Sequence, residues 1–429
     1  SDTIAGLQGA GSVDLNGKSL TVNQAESTES NFSGEVSGGS AAILVKAGAG
    51  KLTLSGQNDI QQAIQIEDGT LSASVPGALT NETDVIVNSP GVLSVLVDTS
   101  IERLSGSGNV ELVSSTLWAT STSDTTFSGV MSGNGSFGKV GSEKLTFTGN
   151  NLYSGSTTIK AGTLSVGGSL ADSTVVDVSS GATYQLAASD TIAGLQGAGS
   201  VDLNGNGLTV NIASATPTTF SGVIAGSGSG SSLNKAGSGT LKLSGTNTFE
   251  GGTSVTAGIL EISNASALGA TARGSVLSGT FVDQGAALHI VGGASTDDFA
   301  LTEQLALGSS SGSGEAVIKL VSGSATISNP FELAGDSAIE ALSGELLLDD
   351  TTESSGVAMI TLGSSCGLSN TCSLRIGGNS SGESGTVKTF LDSSAASGSD
   401  GINLGSQKLT INDNGVFRIS GASTISGEV

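Results

Sequence analysis

The chain reads as an all-β protein, a solenoid of stacked parallel coils. Three observations predict that class. The first is an exact internal repeat: Ser1-Asp-Thr-Ile-Ala-Gly-Leu-Gln-Gly-Ala-Gly-Ser-Val-Asp-Leu-Asn-Gly17 returns letter for letter at Ser189–Gly205, with a weaker copy at Ile101–Leu112 between them. The second is period-two alternation of apolar and small polar residues in short runs, as in Lys51-Leu-Thr-Leu-Ser55 and Gly239-Thr-Leu-Lys-Leu-Ser244, the mark of half-buried strands. The third is composition: 66 glycines, 4 prolines, 3 % aromatic and 12 % charged residues in 429. So few prolines leave strand runs uninterrupted.

Each module has a second half that fixes the period independently. Module one reads Asn31-Phe-Ser-Gly-Glu-Val36, then Lys46-Ala-Gly-Ala-Gly-Lys-Leu-Thr-Leu-Ser-Gly56, then Gly69-Thr-Leu-Ser72. Module two has Thr126-Phe-Ser-Gly129, Lys139–Gly155 and Ala161–Ser165, and module three has Thr219-Phe-Ser-Gly222, Lys235–Gly252 and Ala257–Glu261. Lys46, Lys139 and Lys235 mark the same spacing as Ile4, Ile101 and Ile192, a period of about 94 residues. Modules therefore begin near residues 1, 98 and 189. No linker separates the copies. Stacked coils explain this, because a coil cannot bury its apolar face alone and must lie on its neighbours. At roughly 20 residues per coil the chain makes roughly 20 coils. In the opening stretch Ile4, Leu7, Val13 and Leu15 are core rungs, and Gly6, Gly9 and Gly11 are corners.

The regular region covers 1–278, and 279–429 continues the same solenoid in divergent form. Beyond Gly279, Val282–Val291 and Glu345–Asp350 read as strands. Phe331–Leu342 also reads as solenoid strands, with a short helix as the alternative. Asn403–Asn412 repeats the pattern of Asp14–Asn23.

The net charge of −23 excludes a nucleic-acid binder, which needs a basic stripe, and disfavours anionic membrane surfaces. No stretch approaches the roughly 18 apolar residues of a membrane helix, so this segment has no membrane-spanning part. The chain lacks a signal peptide and opens on the first letter of a repeat, so it reads as a piece of a longer exported polypeptide. Cys366 and Cys372 flank a turn-like Gly-Leu-Ser-Asn-Thr and are expected to form a local disulfide, which implies an oxidising compartment.

Lys235–Leu260 spells K-x-G-x-G-x-L-x-L-x-G-x-N-x-F-x-G-G-T-x-V-x-x-G-x-L. This pattern resembles the autotransporter-associated β-strand repeat, found in passengers of type V secreted proteins and in related giant bacterial surface proteins. Lys139–Leu164 fits it well. Lys46–Leu71 departs after Asn58, where Asp-Ile-Gln-Gln-Ala replaces the aromatic and the glycines. The resemblance covers roughly residues 1–270. It implies a right-handed, single-stranded parallel β-helix, secreted and exposed on the bacterial cell surface.

Catalytic candidates are few. His289, the sole histidine, alternates with Leu288 and Ile290 and reads as a coil-surface residue rather than part of a triad. Gly335-Asp-Ser-Ala338 matches an esterase block but has no Asp-x-x-His partner. Asp297-Asp298 and Asp349-Asp350 could be a carboxylate pair. They lack flanking aromatics and arginines and read as solvated acids. No catalytic, cofactor-binding or metal-ligating residue is assigned, and no cofactor is expected. Opportunistic calcium at Asp400, Asp413 or the two Asp pairs is the one metal allowed for. Trp118 and the Phe-Ser-Gly phenylalanines read as core ladders, and Asn58, Asn150 and Asn247 as stacked amide ladders.

These readings converge on a non-enzymatic extracellular stalk or adhesive passenger. Its partners would be other cells, surfaces or like copies of itself. Two alternatives are a protomer of a self-assembling filament, joined end to end through open edges, and a polysaccharide-degrading β-helix.

Overall fold

The computed structural model describes residues 1–269, 279–295, 298–308 and 314–328 throughout, and beyond 328 chiefly strands; side chains after 348 lie outside the described set. The chain is all-β, and its parallel strands stack as the coils of a solenoid of about 15 turns. It divides into two compact units, Ser1–Asp202 and Leu203–Val429.

In the first unit each coil runs along three faces, and a face carries a short strand in most coils and a turn or bend in the others. The first face stacks Asp2–Ile4, Ser19–Asn23, Ile43–Ala47, Ala63–Ile66 and Asp84–Val87, all in parallel register. The second stacks Glu29–Phe32, Lys51–Leu54, Thr70–Ala73 and Val92–Val95. The third stacks Val13–Asp14, Val36–Gly39 and Asp59–Ile60, and further on Thr99–Ile101, Thr116–Ala119, Ser136–Lys139 and Thr157–Ile159.

Alternation in the sequence becomes alternation in burial. In Lys51–Leu54 the two leucines are buried and the two polar residues half-buried. Leu52, Leu71, Leu93, Val110 and Met131 lie rung on rung with no exposure. Every rung is covered above and below, so removing one opens a cavity that costs about 2–5 kcal/mol for Leu→Ala. The Phe-Ser-Gly phenylalanines fill the bore as expected. Phe127 and Phe147 are fully buried with ring centroids 6.2 Å apart, and Phe137 meets Phe147 edge-on at 5.0 Å.

The module and the coil are out of step. Asp2–Ile4 lies on the first face of coil one, and its counterpart Thr99–Ile101 on the third face of coil five. The next counterpart, Asp190–Ile192, falls between the first-face strand Ala182–Leu186 and the third-face strand Gly194–Gly197 of coil ten, on the second face. Backbone bonds tie that second-face position downward: Ala193 N–H donates to Thr174 O, and Leu152 N–H to Met131 O. A module thus winds four coils and two further faces, and each feature of the repeat moves one face round in the next copy. Lys46 sits on the first face and Lys139 on the third.

The second unit uses the same parallel register. Leu241, Leu260, Leu288, Ile318 and Ile339 form one ladder. Phe331–Leu333 and Ser337–Ala341 are strands, which settles the helix alternative. Gly401–Ile411 pairs in parallel with Ser373–Ile376 and Thr424–Glu428. The coil count falls below the expected 20 because coils lengthen here. Leu288 pairs with Ile318 and Ile339 with Ile376, well over the roughly 20 residues of a regular coil.

Candidate functional site

The motif lysine is the most buried cation of each repeat. Lys46, Lys139 and Lys235 have no solvent exposure. An ammonium in such a place must find an acceptor for each of its three protons. Lys139 Nζ donates to Val140 O at 2.7 Å, Gly141 O at 2.7 Å and Ala161 O at 3.3 Å. Lys235 bonds Ala236 O, Gly237 O and Ala257 O at 2.8, 2.8 and 3.0 Å. Lys46 bonds Ala47 O, Gly48 O and Asp68 O at 3.1, 2.6 and 2.9 Å. The glycine two residues on has φ of +71, +80 and +71° at Gly48, Gly141 and Gly237. That left-handed turn brings two carbonyls back over the ammonium. The third carbonyl comes from the following coil, so the lysine rivets coil to coil. Burial pushes the Lys139 and Lys235 ammonium groups down to about 8, and lowers Lys46 against the opposing Asp68 carboxylate.

A second rivet lies at the motif asparagine. Asn247 Oδ1 accepts Ile224 N–H at 2.8 Å, and its Nδ2 donates to Ala267 O across the next coil. Asn58 does the same between Val36 N–H and Ala78 O. In module two the fully buried Asn151 makes the first of these bonds, accepting Met131 N–H at 3.0 Å from the coil before, while its Nδ2 donates to Gly149 O at 3.1 Å within its own coil and Asn150 is exposed. The expected amide ladder is therefore corrected on two counts. The asparagines bond backbone in adjoining coils rather than one another, and the residue is 151. A constant spacing from the motif lysine to Asn58, Asn151 and Asn247 would have found it.

His289 points outward from Ala286–Val291. It stands in a column of the second unit formed by Lys242, Glu261, His289, Lys319 and Glu340. Lys242 pairs with Glu261 at 2.8 Å and Lys319 with Glu340 at 3.1 Å. Burial lowers the imidazole below its ordinary value, with Glu261 opposing. The column is an alternating charge ladder along a sheet face.

The remaining candidates are dispersed or lie beyond the described residues. Cys366, Cys372, Asp297, Asp350, Asp400 and Asp413 lie outside them, as does the Asp349 side chain. Asp298 accepts the Ser295 N–H at 3.0 Å, closing a local turn. Among the described residues no group of three His, Cys, Asp or Glu side chains gathers, and no helix is long and apolar enough to cross a membrane.

Trp118 departs from the core-ladder reading. In Thr116–Ala119 the buried positions are Leu117 and Ala119, and the indole faces outward, half-buried. Its register partner is Gly138. A Cβ built there would meet indole Cε3 at 2.0 Å, so the ring lies directly on the Gly138 backbone. Lys160, exposed, holds its ammonium 4.1 Å from the ring centroid, a cation–π distance. Asp98, Asn81 and Thr120 line the groove beside it.

The architecture is that of a coil-riveted β-solenoid built on a lysine–glycine repeat. Residues 44–73, 137–166 and 233–262, which hold the three rivets, match the passenger-associated-transport repeat. These repeats make the chain similar to autotransporter passenger repeat proteins. It is 30 % identical over 338 residues to a protein of Brucella suis biovar 1 (strain 1330) named "Adhesin BmaC autotransporter". The aligned part is 72 % of this chain and 9 % of that relative. No solved structure matches.

Proposed function

We propose that this chain is a non-enzymatic segment of a bacterial surface passenger that makes adhesive contacts along a rigid solenoid. The observation that carries the reading is the coincidence of three transport repeats with identity to a protein named as an adhesin. Parallel ladders and buried rivets supply the rigidity that a projecting surface needs. The contacts are with other cells or abiotic surfaces, including the cell–cell contacts of a biofilm, and the location is the secreted or cell-surface one of such passengers. The regular region to 278 would serve as shaft, with its divergent continuation after 279.

Beads coated with the chain test this reading. They should be retained on host-cell or bacterial monolayers above beads coated with a scrambled-surface variant; equal retention would refute adhesion. Concentration-dependent fibres in solution would favour the filament reading, and release of reducing sugars from a glycan panel the enzymatic one.

A further inference from the structure

We propose that module two carries a sugar-binding platform at Trp118, taking the apolar face of a neutral pyranose on the indole. This rests on the adhesive reading and names its ligand class.

The three modules supply their own controls. At the position of Trp118, module one has Thr21 and module three Thr209. At the position of Gly138, they have Val45 and Asn234. In the next coil, Lys160 replaces Glu67 and Thr256, each following the strand that pairs with the lysine strand. Three outward positions in three successive coils differ together, and the large residue arrives with the glycine that makes room for it. Packing of the fold does not require this. Thr over Val serves in module one, and a glycine inside a strand weakens it.

The surroundings suit a sugar better than an apolar peptide. One aromatic surface lies flat, held from below by the Gly138 backbone. Around it are an ammonium, a carboxylate, an amide and a hydroxyl, from Lys160, Asp98, Asn81 and Thr120. A pyranose offers a C–H face to the ring and hydroxyls to such a rim, which matches the pattern of few polar groups fixing a ligand on an apolar floor. Lys160 is exposed on a flexible stem, so its ammonium can leave the ring for a ligand hydroxyl. The chain's net charge of −23 and the exposed Asp98 select against carboxylated sugars.

Trp118 is the sole tryptophan, so its emission reports the site directly. Titrating the full chain with glucose-, galactose- and mannose-terminated oligosaccharides should give a saturable emission change with at least one of them, and none with sialylated counterparts. On a glycan array, the variant Trp118→Thr/Gly138→Val/Lys160→Glu, which installs module one's residues, should bind that sugar more than about tenfold more weakly while keeping its urea midpoint. Absence of saturable binding by any neutral glycan would overturn the proposal, as would unchanged binding by the variant or a response to sialylated sugars alone. Bead retention separates the two readings. Retention that persists in the variant leaves adhesion standing and removes this site, whereas no retention by the parent chain removes adhesion itself.

Discussion

Lys139 shows how one residue can hold two coils together. Its ammonium is fully buried and spends each proton on a carbonyl. Lys139→Met keeps the stem's packing but strands those carbonyls without a donor. A buried unsatisfied group costs about 1–3 kcal/mol, against which the relief of desolvating an ammonium works in the other direction. Because three acceptors are lost together, we expect net destabilisation of about 2 kcal/mol, read as a lower urea midpoint, with no rescue by Lys139→Arg. Glu303 supplies a pH test. Its carboxyl is buried, accepts the Thr280 hydroxyl at 2.8 Å and is pushed up to about 8 by desolvation. The folded value lies above the ordinary one, so the folded chain keeps a proton that the unfolded chain releases. The stability from this group is complete below the unfolded value near 4.5 and is lost as pH rises through about 8. The urea midpoint should therefore fall from about pH 5 to about pH 9, and Glu303→Gln should flatten that fall. An equally steep fall in the variant would assign the dependence to other groups.

At the scale of the element, the unit of folding is the coil, although the unit of sequence is the module. Residues 84–102 make one coil with a strand on each face, Asp84–Val87, Val92–Val95 and Thr99–Ile101. Deleting the whole coil lets Ala63–Ile66 meet Arg103–Gly106 and Thr70–Ala73 meet Asn109–Leu112, apolar rung on apolar rung. Deleting 84–93 alone sets each strand against the wrong face. The first deletion should keep the strand signal in circular dichroism and a cooperative unfolding transition, and the second should lose both. The rotation of the module has a second consequence. Lys46 and Lys139 occupy different faces, so an outward feature repeated in every module would be displayed on successive faces.

For the whole molecule, the net charge of −23 sets the terms of any contact with an anionic cell surface. Repulsion should weaken as the screening length falls from about 10 Å at 0.1 M salt to about 3 Å at 1 M. Bead retention is therefore expected to rise with salt. A fall would point to ion pairing as the source of adhesion and to a basic patch that the charge balance does not suggest.

Much of the fold was legible because its rules are local. Alternation fixed which residues of Lys51–Leu54 face inward, and the repeated Lys-x-Gly placed the corner. The lysine's own task was not legible. A single lysine beside glycines looks like a surface residue until the next coil brings its third carbonyl. Trp118 was misplaced among the core aromatics because only the register shows that it lies over Gly138. Spacing alone held the asparagine rivet, but the neighbouring Asn150 obscured it.

The duplicated stretch draws the boundary most clearly. Ile192, Leu195, Val201 and Leu203 are fully buried, as their letters require, while in the first copy Ile4 and Val13 are half-buried and Leu7 and Leu15 each 8 % exposed. Asp190 is buried, accepts the Tyr184 hydroxyl at 2.7 Å and the Leu170 N–H, and is raised by desolvation above the ordinary carboxylate range. Asp2, the same letter in the same stretch, is exposed and bonds the N–H of Thr3. The sequence by itself determined the strand period, the corners and the apolar rungs, because these follow from neighbours along the chain. Only the tertiary structure decided what Lys139, Trp118 and Asp190 do, because each has a partner about one coil, or roughly 20 residues, away in Ala161, Gly138 and Leu170.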